Sequence, residues 1–266
     1  MKYFTNAELE HGLGSIFCKI IVLMGYQYFL DGYEFLYNPL KNRPVNLPNQ
    51  LSLYYHDKNI DHNKKYYEIR KNWDSLIDYK GKTINDISNE HVTHLIHANL
   101  FNEKEFDVFN YVYNVAKSDV RKNFKLLNET REYIKISIHI RRGDVNPKHH
   151  PDRWLSDEYY LKILDDLKIS LDGYDFKIKI HTQKNGFNKD LFNGDYEIVY
   201  DTDTEDHLTW LDLNDSDILV LGKSSFSYGA ALISNGIIIY PQESMFHPKL
   251  DNWVLSDNIK QIRNLL

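Results

Sequence analysis

The sequence is poor in cysteine. Cys18 stands alone in 266 residues, which excludes an internal disulfide and fits a reducing compartment. Its apolar helical surroundings mark it as a buried structural thiol rather than a nucleophile. No run approaches the ~18 uninterrupted apolar residues of a membrane span. The opening Met1-Lys2-Tyr3-Phe4-Thr5-Asn6 also lacks the pattern of a secretory signal. The expectation is a cytoplasmic protein without a transmembrane segment. Positive charge is not in excess either: a net charge of −6 leaves no broad basic face for nucleic acid. His91, His94 and His97 invite a metal reading, but no carboxylate or cysteine completes a ligand set at the usual spacing. Neither a metal nor a cofactor is expected.

What is present describes a globular α/β protein. The chain is 42% hydrophobic and 26% charged, values of an ordinary folded domain, and its length suffices for two domains of modest size. Twenty tyrosines and four tryptophans suit sugar-binding clefts and ordinary cores equally.

The most informative stretch is Ile134-Lys135-Ile136-Ser137-Ile138-His139-Ile140-Arg141-Arg142-Gly143-Asp144. Its alternation is that of a strand with two distinct faces. The four isoleucines face a core, while Lys135, Ser137, His139 and Arg141 share the other side. In open α/β sheets, ligands bind just beyond the carboxyl ends of strands, where the Arg-Arg-Gly-Asp cluster falls. An arginine there offers a planar fork suited to phosphate, and Gly143 lets the backbone turn. A surface ion-pair cluster or an adhesion Arg-Gly-Asp would account for those four residues taken alone.

The pattern around this strand extends the reading. Helices are expected over Leu13–Leu30, Phe106–Leu127, Ser156–Leu167, Thr204–Leu213 and Ser225–Ser234. Strands are expected at Glu34–Tyr37, Phe176–Ile180, Tyr196–Tyr200, Asp217–Leu221 and, last, Ile237–Tyr240. Lys2 to Thr5 is a feeble strand candidate, and residues 38–65 read as irregular loops. Alternating strands and helices through residues 134–240 argue a parallel, doubly wound domain. Asn128-Glu129-Thr130 marks the hand-over, giving domains 1–130 and 131–266.

Lys223-Ser224-Ser225-Phe226-Ser227 forms a second anchor. It follows a nearly all-apolar strand broken by Gly222 and opens a helix of small residues. Backbone N–H groups, hydroxyls and the helix dipole there suit a phosphate, although helix capping by serine is the simpler alternative. Gly12 and Gly14, at the start of the first helix, offer a similar anion seat or a plain helix-entry turn.

His139-Ile140-Arg141-Arg142-Gly143-Asp144 resembles the His-x-Arg-Arg-x-Asp motif of the α-1,2- and α-1,6-fucosyltransferases. Lys223 to Ala230 resembles the Ser-Ser-Phe-Ser-Trp-Trp-Gly-Ala stretch of the α-1,2 group, with Tyr228-Gly229 where that group has two tryptophans. His11-Gly12-Leu13-Gly14-Ser15-Ile16-Phe17 resembles the group's Gly-Gly-Leu-Gly-Asn-Gln-Leu-Phe. The resemblance covers the second half of the chain and residues 11–17 of the first. It implies a GT-B fold, with two Rossmann-like domains facing a cleft, the first on the acceptor side and the second holding a nucleotide sugar. It also implies an enzyme that moves L-fucose from GDP-β-L-fucose to a carbohydrate hydroxyl, with inversion and without metal. The same architecture with another nucleotide sugar, and a catalytically silent carbohydrate- or nucleotide-binding protein, are the alternatives.

Such a transfer needs charge stabilisation on the leaving diphosphate, an aimed acceptor hydroxyl and a late proton acceptor. Arg141 is assigned to the diphosphate, and in the resembled family the matching arginine contacts the β-phosphate. Arg142, on the opposite side, is expected to hold Asp144 or the fold. His139, Gly12, Gly14, Lys223, Ser224, Ser225, Phe226 and Ser227 are expected to support the donor. Asp201 or Asp203 would accept from the nucleobase edge. The proton acceptor is left open between Asp144, His11 and Glu10, since Asp144 beside two arginines should have a lowered pKa and be a poor base.

Overall fold

The computed structural model describes residues 2–5, 13–28, 33–37, 39, 70–81, 83, 92–93, 105–201, 203–242 and 247–266. The chain divides into two units, Met1–Leu126 and Leu127–Leu266. His11, Gly12 and Glu10, the three histidines of residues 91–97, and the 38–65 stretch other than Pro39 lie outside the described residues.

Among the described residues, the first unit is built on a three-stranded parallel sheet ordered β2-β1-β3, with β1 Lys2–Thr5, β2 Tyr33–Leu36 and β3 Val92–Thr93. The weakly patterned Lys2 to Thr5 is therefore the central strand. Helix α1, Leu13–Tyr26, is buried on every side from Phe17 to Met24, the mark of a helix enclosed by neighbours. Trp73 packs edge-on against Phe17, with ring centroids 4.6 Å apart.

The single helix expected over Phe106–Leu127 is interrupted. It runs as α2, Glu105–Tyr111, then a π-helical segment Val112–Ala116, then α3, Lys117–Arg121. The π segment meets α1 at Gly25, where a Cβ would lie 2.3 Å from a methyl of Val112. The run stops short of Leu127 because Asn123 turns its amide back onto the Asp119 carbonyl at 3.0 Å. The same side chain accepts from the Lys80 N–H at 3.0 Å.

The second unit is a six-stranded, all-parallel sheet with helices on both faces, as the alternating pattern predicts. Its strands are β4 Ile134–Ile140, β5 Phe176–Thr182, β6 Tyr196–Tyr200, β7 Ile218–Val220, β8 Ile237–Tyr240 and β9 Val254–Leu255. The order is β6-β5-β4-β7-β8-β9, so the sheet grows one way from β4 to β6 and the other way from β7 to β9. Ile237–Tyr240, expected to be last, is followed by β9 and a 3-10 segment Ser256–Asn264.

Helix α4, Asp157–Ser170, is capped by Ser156, whose hydroxyl accepts from the Tyr159 N–H. With the 3-10 segment it covers one face, over a core of Ile136, Ile138, Ile140, Ile163, Leu167 and Ile262. Helices α5, Asp206–Asn214, and α6, Ser225–Leu232, pack together on the other. Both faces of β4 are thus buried, its polar side included.

That polar side is neutralised by Asp212 of α5. Its carboxylate lies 2.6 Å from Lys135 Nζ, 3.3 Å from Lys179 Nζ and 2.8 Å from His181 Nε2. Burial opposes ionisation of Asp212, but His181 and Lys135 outweigh it and hold the carboxyl well below the usual range. One helical carboxylate therefore ties α5 to two adjacent strands.

Candidate functional site

The sheet reverses direction between β4 and β7, and these neighbours carry the two polar motifs at their carboxyl ends. In a sheet of this order, the crevice at the reversal is where ligands bind. Gly222 brings the motifs together. A Cβ at this position would sit 2.6 Å from the His139 carbonyl oxygen and 3.3 Å from His139 Nδ1, so only glycine lets the loop after β7 lie against the end of β4.

His139 lies on the side that strand alternation dictates. It is buried, and its ring packs 5.4 Å from that of Phe226. Its Nδ1 has no hydrogen-bond partner among the described residues. Burial first, then the charges of Arg141 and His181, push the imidazole down to about 3, so it is neutral at physiological pH.

The two arginines diverge. Arg141, on the His139 side, is partly exposed and lies 2.6 Å from Asp144 Oδ1 through Nη2. Arg142 has no exposed surface. Its Nη2 pairs with Asp157 Oδ1 at the start of α4, its Nη1 donates to the Arg141 carbonyl at 2.8 Å, and its guanidinium lies 3.9 Å above the Trp154 ring. Asp144 therefore belongs to Arg141, not Arg142, because the parity that buries Arg142 aims it at α4. The turn beyond is fixed to the loop after β5. Gly143, at φ 74°, donates its N–H to Asn185 O at 2.9 Å, and the Arg142 N–H donates to Gln183 Oε1 at 2.7 Å.

The serines also divide by role. Ser224 is the N-cap of α6, accepting from the Phe226 N–H at 3.3 Å. Ser227 is fully buried and donates to the Ser224 carbonyl at 3.3 Å. Lys223 is buried. Ser225 alone of the three serines stays partly exposed, and its Oγ lies 2.9 Å from His247 Nε2.

His247 escapes sequence reading, since it lies beyond the last expected strand in no recognisable pattern. Tyr228 and Tyr240 hold it in place. Its ring lies 4.6 Å from that of Tyr228, its carbonyl accepts from Tyr240 Oη at 2.6 Å, and Tyr228 Oη donates to Pro248 O at 2.7 Å. The signal that could have found it is Tyr228 itself, a hydroxyl where the resembled family has tryptophan.

The remaining expected residues lie at the rim or farther off. Asp201 Oδ1 accepts from the Lys184 N–H at 3.4 Å, and Asp203 Oδ2 from the Tyr200 N–H at 3.3 Å, so both shape local turns. At the start of α5, loss of solvent around the Asp206 carboxyl, and then the charges of Asp201 and Glu205, push it up from the usual range against the pull of Arg141 and His207. Gly14 lies in the first turn of α1, in the other unit. Among the described residues no group of three or more His, Cys, Asp or Glu could hold a metal ion, and no helix is long and apolar enough to cross a membrane.

At the switch point the chain thus gathers an arginine fork, a neutral imidazole whose unpartnered Nδ1 is a donor in the Nδ1–H tautomer, and a hydroxyl at a helix N-terminus. Such a set is suited to an anion with several oxygens. No family model matches the chain, and no curated protein matches it. Among solved structures, the chain is similar to E. coli heptosyltransferase WaaC with ADP, at 11% sequence identity and a TM-score of 0.44, covering 99% of this chain and 96% of that one.

Proposed function

We propose that the protein is a glycosyltransferase of the GT-B type whose second unit holds the diphosphate of a nucleotide sugar, with the first unit on the acceptor side. The observation that carries this reading is the meeting of the two motifs. The His139–Asp144 turn and the Lys223–Ser227 loop flank the strand-order reversal and touch through Gly222 and His139. Arg141 neutralises charge growing on the leaving diphosphate, and Asp144 holds its fork in place. The N-terminus of α6 and Ser225 add N–H and hydroxyl donors. The donor we favour is GDP-β-L-fucose, on the motif resemblance, with inversion at the anomeric carbon and transfer to a carbohydrate hydroxyl. A guanidinium and a helix N-terminus substitute for a divalent cation.

A thermal-shift screen of nucleoside diphosphates and nucleotide sugars tests this. A binder at one hundred times its dissociation constant stabilises by ~2.7 kcal/mol. GDP and GDP-fucose should shift the transition most, and release of labelled sugar to water or a glycan should follow. No shift with any nucleoside diphosphate would remove the reading. A shift with another nucleotide sugar would reassign the donor, and binding without sugar release would leave a silent binding protein.

A further inference from the structure

The Ser225–His247 contact is chemically ambiguous in a way that bears on anion binding. Ser225 Oγ lies 2.9 Å from His247 Nε2, and either atom can supply the proton between them. If Ser225 donates to the ring, its own proton is consumed and a lone pair faces outward, which repels an anion. If Nε2–H donates to Ser225, the hydroxyl proton turns outward and can meet an anion oxygen.

We propose that His247 is a positioning residue that, through its Nε2–H tautomer, aims the Ser225 hydroxyl at the diphosphate, so that anion binding and the tautomer of His247 are coupled. This rests on the nucleotide-diphosphate reading of the site. Two observations point to a ligand here besides the start of α6. Ser225 is the serine of its loop left partly exposed, while Ser224 and Ser227 are spent on the helix and the loop backbone. The buried, unpartnered Nδ1 of His139 faces the same loop at the Gly222 position. The His247 ring cannot drift away from Ser225. It packs on Tyr228, and the flanking carbonyls of His247 and Pro248 are tied down by Tyr240 and Tyr228. A side chain used only as filler against Tyr228 would need no nitrogen directed at a serine.

Two replacements separate the hydrogen bond from the packing. His247→Phe keeps the ring on Tyr228 and removes the donor. His247→Gln loses the ring and keeps an N–H near the position of Nε2. Calorimetric titration with GDP and with inorganic pyrophosphate should show at least about 10-fold weaker binding in His247→Phe. Most of that loss should be restored in His247→Gln. In a Ser225→Ala background, His247→Phe should cost nothing further, since the hydroxyl it aims is gone. In protein labelled with ¹⁵N-histidine, adding either ligand should move the His247 shifts toward the Nε2–H form. Equal losses in the two His247 variants, the reverse order, or an undiminished cost in Ser225→Ala would overturn the assignment and leave the function intact. Failure of the unaltered protein to bind either ligand would overturn both.

Discussion

Arg141 and Arg142, adjacent in sequence, emerge on opposite sides of the same sheet: the first pairs with a partly exposed Asp144, and the second is sealed beneath Trp154 on Asp157. The ion pair of Arg141 is worth little to stability, whereas removing one partner of a buried pair is costly.

Replacement should therefore split the two phenotypes. Arg141→Ala should lower turnover by at least ~100-fold, about 2.7 kcal/mol of barrier, with a nearly unchanged melting temperature. Arg141→Lys should restore little, since an ammonium cannot reproduce the fork. Arg142→Ala should lose about 3 kcal/mol of stability in urea unfolding, because Asp157 keeps its charge without its partner. The opposite assignment of rate and stability losses would show that Arg142 serves the ligand.

Gly222→Ala should be damaging without touching any ionisable group. Its Cβ would press on the His139 carbonyl, which is backbone and cannot swing aside. We expect a loss of about 1–3 kcal/mol together with weaker nucleotide binding, because the loop must retreat from β4. Normal stability and affinity in this variant would mean that the two motifs need not touch.

His139 provides a test by pH. Its folded pKa of about 3 lies below the ordinary 6.5, so the unfolded chain takes up a proton that the folded one refuses. The stability linked to this group is fully present above about 6.5 and is lost as the pH falls toward about 3. Unfolding free energies at pH 7, 6, 5 and 4 should fall more steeply in the unaltered protein than in His139→Gln. The difference in slope approaches ~1.4 kcal/mol per pH unit. Parallel slopes would mean that His139 titrates normally.

Metal dependence is equally direct. If Arg141 and the start of α6 neutralise the diphosphate, turnover should survive excess EDTA. Loss of activity under chelation, restored by Mg²⁺ or Mn²⁺, would promote Asp201 and Asp203 from turn-formers to ligands.

The second unit was legible because its signals are local. Alternation through Ile134–Ile140 fixed which residues share a face, and that parity alone separates Arg141 from Arg142. What was not legible depends on distance along the chain. Nothing in Lys135 or His181 announces Asp212, the carboxylate that lets them be buried. His247 reaches Ser225 from beyond the last expected strand. β9 is two residues long, too short for a period to register. In the first unit the central strand Lys2–Thr5 carries too weak an alternation to stand out, and the π-helical turn begins where Gly25 of α1 lies against Val112, a contact distant in sequence that no local period registers.

The pairing of β4 with β7 sets the order in which this molecule can be made. Lys135 and Asp217, clasped by two bonds of 2.8 and 2.9 Å, lie 82 residues apart. Closing so long a loop costs entropy before any contact rewards it. A nascent chain that has emerged only through β6 owns the arginine turn and α4 but not the Lys223–Ser227 loop that opens α6. The anion site proposed above is therefore completed in one late step, when β7 slots in next to β4 and α6 follows it, and ligand binding should report on finished folding rather than on its intermediates.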